Sequence, residues 1–174
     1  MGGPPTSPPA RTTRAVLARC EHAADEARAV AEVLAEVPTT GVVALIAMPV
    51  GPQGEVDARA VSLSLIQAAA AYFADRGATV RVVGAPTLLD LREPFDAAVA
   101  QLRGAGIEVS TETEGEPVAG GGPRLASAEV LRAVMAADQR VVIAAAAPHH
   151  HLGLAGPLLA AAGMLTPLAR ESLF

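Results

Sequence analysis

The chain of 174 residues contains no lysine, no asparagine and no tryptophan, so all thirteen of its basic residues are arginines. With 18 acidic residues the formal net charge is -5, and the isoelectric point lies near 5.3. Affinity for nucleic acid rests on Lys and Arg neutralising phosphates, and here the arginines are scattered with no basic stripe. That excludes a nucleic-acid partner. A single cysteine, Cys20, excludes both a disulfide framework and a cysteine zinc cage, and makes a reducing cytoplasm the expected location. Cys20 itself is expected to be a packing thiol. Aromatic residues make up only 2% of the chain. The apolar 51% therefore falls mainly to Ala, Val and Leu, and few side chains can each contribute more than about 3 kcal/mol of burial.

What is present reads as one α/β domain. Residues 1–13 form a Gly/Pro-rich tail expected to be disordered, with neither the basic nor the apolar region of a signal peptide. Residues 14–174 are expected to form a single three-layer α/β sandwich, with a mostly parallel sheet of about five strands. Arg14 to Cys20 suits a short edge strand. Ala23 to Val37 reads as a helix with Val30, Val33, Leu34 and Val37 on one face. The unbroken apolar run Gly41 to Met48 reads as a central strand buried on both faces.

Ala58 to Arg76 follows as a helix with Ile66, Ala69, Ala70 and Phe73 inward and Gly77 as its stop. Then come a strand at Thr79–Val83, a helix lined by Phe95, Ala98, Val99 and Leu102 and stopped at Gly104, and an edge strand at Ile107–Ser110. Thr111 to Pro123, first acidic and then glycine-rich, is expected to be a mobile loop. Leu125 to Ala137 reads as a helix with Ser127 as N-cap. Arg140 to Ala147 is expected as the last strand, and Leu158 to Met164 as a short apolar helix.

Three groups of residues in strand-end loops are candidates for chemistry, because open α/β sheets bind ligands beyond the carboxyl ends of their strands. The first is the run His149-His150-His151, which gathers three of the four histidines. His149 or His151 could act in ligand binding or acid–base chemistry near neutral pH. The spacing lacks a metal-ligand motif, so no metal site is expected, and the residues identify no cofactor. The second group is Glu55 and Asp57, in the loop that opens with Gly51-Pro52-Gln53-Gly54. If the two strands are neighbours, Asp57 could face His149, as a carboxylate that orients an imidazole. The third is Gly153 and Gly156, which with Gly51 and Gly54 would let the backbone approach a ligand closely.

The 29 residues from Val141 to Ala169 carry no charged side chain. Histidines, prolines and glycines break the segment too often for a membrane span, so residues 141–169 suit docking on a partner subunit or on a second copy of the chain. A tightly packed strand end with solvated imidazoles, and Asp57 as a helix cap, is the structural alternative to a site.

Several segments resemble the bacterial and archaeal "domain of unknown function 362" family. Val16-Leu17-Ala18-Arg19-Cys20-Glu21 is similar to its opening strand, Gly41 to Val50 to its first central strand, and Arg76-Gly77-Ala78-Thr79-Val80 to a later strand start. His149, Gly153, Gly156 and Gly163 stand at the intervals of its final histidine–glycine segment. The family's lysines and asparagines fall here on Met48, Val50, Ala147, Leu159 and Ala160, and one cysteine cannot hold the ferredoxin module many members carry. The resemblance thus implies a reduced member, a small-molecule or anion-binding domain serving as an enzyme subunit or accessory protein, with His149 contacting the ligand. Weaker resemblances run to the nickel-dependent lactate racemase family, through Pro148-His149, and to the D-glutamate cyclase family, through Glu55-Val56-Asp57. They imply the alternative of an acid–base isomerase, racemase or cyclase using His149 or His151 with Asp57.

Overall fold

The computed structural model describes Ala18 and residues 22–47, 61–84, 92–122, 125–144, 147–149, 153–155 and 161–171. The N-terminal tail and the edge strand expected at Arg14–Cys20 lie outside the described residues, apart from Ala18, which is in no strand.

Among the described residues, four strands form the central sheet: β1 (Val42–Ile46), β2 (Thr79–Val83), β3 (Glu108–Ser110) and β6 (Gln139–Val142), in the order β3-β2-β1-β6. Every neighbouring pair is parallel. Successive side chains of a strand point to opposite faces, and in β1 both faces are dry. Val43 and Leu45 enter one core, and Ala44 and Ile46 the other. The continuous apolar run of β1 is what a central parallel strand requires.

The larger core lies under α1 (Glu26–Val33), α2 (Leu63–Ala74) and α3 (Arg92–Gly104), which supply Val30, Ile66, Phe73, Phe95 and Leu102. On the other face Ala44, Ile46 and Val83 meet Ala133 and Val134 of α4 (Arg132–Met135), with Met164 packed beside them. These are the three layers of the sandwich.

The helix ends follow local chemistry. The Ser62 hydroxyl accepts the Leu65 N–H at 3.3 Å and starts α2. Gly77 stops it, with Gly77 N–H on the Ala74 carbonyl and Ala78 N–H on that of Phe73. The same pair of bonds ends α3, but the left-handed residue is Gly106 (φ 79°), not Gly104, which is still helical.

Residues 111–137 depart from expectation. In place of a loop and a helix capped by Ser127, β4 (Gly115–Gly122) and β5 (Leu125–Leu131) form an antiparallel hairpin, and only Arg132–Met135 is helical. The reason is non-local. The Glu129 carbonyl accepts the Thr166 N–H at 2.9 Å, its carboxylate accepts from the Thr166 hydroxyl at 3.3 Å, and Val130 bridges to Leu165. Distant residues thus hold extended a segment whose own propensity is helical. The acidic run is also tied down. Arg132 meets Glu114 at 3.1 Å and Glu116 at 3.8 Å, and its N–H bonds the Glu114 carbonyl.

The last strand is shorter than the sequence suggests. β6 stops at Val142, and Ala147–His149 forms a separate strand, β7, antiparallel to β8 (Gly153–Ala155). The apolar helix expected at Leu158–Met164 is, where described, a 3-10 turn at Ala162–Met164, leading to α5 (Pro167–Glu171).

At the amino end of the sheet, the Asp138 carboxylate accepts the Val42 N–H at 2.8 Å, and the Asp138 N–H donates to the Val42 carbonyl at 2.9 Å. Gly41 has φ +80°, and a Cβ there would collide with the Asp138 carboxylate. Gly41→Ala should therefore cost about 1–3 kcal/mol in urea unfolding. Gly104→Ala, in the last turn of α3 with open space around it, should be neutral or stabilising by up to about 1 kcal/mol. Phe73, fully buried in the larger core and edge-on to Tyr72 at 5.4 Å between ring centroids, is one of four aromatic residues in the chain. Phe73→Ala should lower the unfolding free energy by about 3–5 kcal/mol, read from the urea midpoint at constant slope.

Candidate functional site

The strand order places the candidate site before any side chain is considered. From β1 the chain runs through α2 to β2 and through α3 to β3, always under the same face. It then crosses by way of α4 on the opposite face and enters β6 on the other side of β1. The direction of winding therefore reverses between β1 and β6. In open α/β sheets this switch point, at the carboxyl ends of the strands, is where a crevice forms. Ile46 is in register with Val142, and the Ile143 N–H donates to the Ile46 carbonyl at 2.9 Å. β1 and β6 thus end side by side.

Of the residues singled out from sequence, the structure brings together His149 and Gly153. They are opposite one another in the β7–β8 hairpin, where Ala147 pairs with Ala155 and Pro148 with Leu154. His150, His151, Gly51, Gly54, Asp57 and Gly156 lie outside the described residues, as does Cys20. Part of the charge-free segment faces inward within this chain: Val141 and Ile143 pack on the larger core, and Val142 and Met164 on the smaller. Leu168, by contrast, is 75% exposed.

Sequence reading missed a cleft of about 360 Å³ between α1 and the end of β6. Its walls are Ala29, Val30 and Val33 from α1, Leu65 and Ala69 from α2, and the stretch Val141 to Ala144, together with Ala18, Glu26 and Leu34. α1 precedes β1 and packs on the same face as α2, so Glu26 in its first turn belongs to the carboxyl end of the sheet, as does the first turn of α2. Val33, expected inward, is 42% exposed and forms part of the cleft wall.

Glu26 is the unusual group. Its Oε1 accepts a long 3.4 Å hydrogen bond from the Ser62 hydroxyl, while its Oε2 is buried with no hydrogen-bond partner. A sequence signal for this was present. The apolar stripe of Val30, Val33, Leu34 and Val37, run back one turn, lands on Glu26. A carboxylate on a buried stripe marks either strain or a site.

A second charge is buried on the far side of the sequence. Arg170 in α5 is only 5% exposed, donates its N–H to the Thr166 carbonyl at 3.0 Å, and has its pKa lowered by desolvation. Composition gave no hint of it, because one arginine among thirteen carries no distinguishing pattern.

Among the described residues no three His, Cys, Asp or Glu side chains gather as a metal site, and no helix is long and apolar enough to cross a membrane. In comparisons with known proteins, no family model, no curated protein and no solved structure gives a significant match to this chain.

Proposed function

We propose that this α/β domain binds a small molecule or anion in the crevice at the carboxyl ends of β1 and β6, and that it serves as a reduced enzyme subunit or accessory protein. The observation that carries the reading is the reversal of winding between those two strands. The segments richest in candidate groups follow those two strands in the sequence, and such sheets receive ligands beyond the carboxyl ends of their strands. His149 would hydrogen-bond or polarise the ligand. Gly153 and Gly156, with Gly51 and Gly54 from the β1 side, would let backbone N–H groups approach it. Kinship with the domain of unknown function 362 family belongs to the same proposal, supported by the intervals of His149, Gly153, Gly156 and Gly163. The loss of that family's lysines and asparagines favours binding over retained catalysis.

A thermal-shift titration with phosphate and with succinate tests this reading. An anion held at 100 times its dissociation constant adds about 2.7 kcal/mol, a rise of roughly 5–11 °C for a domain of this size. The rise should appear in the native protein and disappear in His149→Ala. An equal shift in both proteins, or no shift with either anion, would overturn the proposal.

A further inference from the structure

We propose that residues 127–135 are a two-state segment: a strand followed by one turn of helix while Leu165 and Thr166 hold it, and a single longer helix once that hold is released. This conformational device does not rest on the anion-binding reading. Local preference and observed structure conflict here. The run Leu125-Ala126-Ser127-Ala128-Glu129-Val130-Leu131 is rich in helix formers, with Val130 its one β-branched residue, yet it is strand β5. Its partner β4, Gly115-Glu116-Pro117-Val118-Ala119-Gly120-Gly121-Gly122, consists of residue types that strands disfavour, Val118 apart. β4 and β5 form a two-stranded sheet of their own. Such a hairpin is marginal in water without further support.

Thr166 supplies support to both strands. On β5 its N–H and its hydroxyl both donate to Glu129, at 2.9 Å and 3.3 Å. On β4 it lies so close to Gly115 that a Cβ there would collide with its methyl group. Its hydroxyl also accepts the Ala169 N–H at 3.3 Å, so one side chain joins the grip on β5 to the start of α5. Leu165, beside it, bridges to Val130. Thr166 is 3% exposed, which makes it a buried latch and not a surface contact.

The second form is prepared next to the latch. α4 is only four residues long, and Leu131 at its N-cap makes no side-chain hydrogen bond. Ser127, one turn earlier, is of the residue type that caps helices. Leu131 is the hinge. Its ψ is 133°; near the helical value of about −42°, with residues 128–130 following, α4 runs back to Ala128. Leu131 and Val134, three apart, then share one helix face toward the smaller core that both already occupy. Release of the latch therefore exchanges hairpin for helix without emptying that core, and drawing Leu165 and Thr166 away shifts the balance between the two forms.

Chemical-exchange saturation transfer NMR on the full chain reads the Cα shifts of a minor state residue by residue. In the native protein the major state of residues 127–131 should be extended and the minor state helical. Thr166→Val deletes the hydroxyl and keeps the N–H, and should raise the helical population about fivefold, the factor of one hydrogen bond. Gly115→Ala should raise it too, by displacing Thr166 from the other strand. Ser127→Ala added to Thr166→Val should lower it again about fivefold, the factor of an N-cap. Ile66→Val, in the larger core and away from the latch, should leave it unchanged. A minor state with disordered shifts would overturn the proposal, as would a segment already helical in the native protein. So would absence of a helical state in both latch variants, indifference to Ser127→Ala, or an equal rise in Ile66→Val.

Discussion

Strand β1 is dry on both faces, and every layer of the molecule takes its position from that. Val43, Ala44 and Leu45 are inaccessible to solvent, and Ile46 nearly so. Their backbone polar groups must then be paired within the sheet, since no water reaches them. Parallel neighbours on each side, β2 and β6, provide those bonds. Because side chains alternate, a strand only five residues long feeds two separate cores. The larger face accepts Phe73 and Phe95, whereas the smaller is filled by Ala, Val, Leu and Ile. A core so finely divided depends on close packing more than on any one large side chain.

What could be read in the residues and what could not divide along the range of the interactions. β1, α2, β2 and α3 were legible because their periodicity is local, as is the Gly77 stop of α2, although α2 starts at Leu63 after the Ser62 cap and not at Ala58. The β4–β5 hairpin was not. The segment from Leu125 to Leu131 has helix-forming residues, and what keeps it extended is Leu165 and Thr166, more than thirty positions away. β6 was legible as a strand but not in length, since apolar character continues past Val142 while pairing to β1 ends at Ile143. For the candidate site, the structure supplies the condition the sequence reading set, that β1 and β6 are neighbours. Glu26 was on the legible stripe of α1, but its bond to Ser62 and the inaccessibility of its Oε2 arise from the tertiary fold, which no local pattern encodes.

The arginine-only basic composition has a structural counterpart. Arg140 donates from Nε to the Val134 carbonyl at 3.0 Å and from Nη2 to that of Met135 at 3.2 Å, where α4 ends. Arg103 reaches the Val109 carbonyl at 3.1 Å and ties α3 to β3. Arg76 bonds the Tyr72 carbonyl at 2.9 Å while its guanidinium stacks 3.7 Å above the Tyr72 ring. A planar fork with several donors can serve two carbonyls or a carbonyl and a ring at once, which an ammonium does less well. These cations finish helix ends and fasten neighbouring elements, a use that fits an acidic protein with no basic face.

The Gly41–Asp138 junction has a geometric consequence at the opposite end of the sheet. Val42 is tied to Asp138 through both its N–H and its carbonyl, and the Thr79 N–H donates to the Gly41 carbonyl. Three strands are thereby levelled at one height where they enter the sheet. Since β1 and β2 each have five residues and β6 has four, that common baseline also sets how far each strand projects at its exit. The strand exits define a plane whose tilt is decided about four residues below it. A single residue inserted into β1 above the junction would both raise one strand out of that plane and exchange the two cores' side chains. The height of the strand exits and the identity of the packing faces are therefore one variable in this molecule, anchored by a glycine and an aspartate at the far end of the sheet.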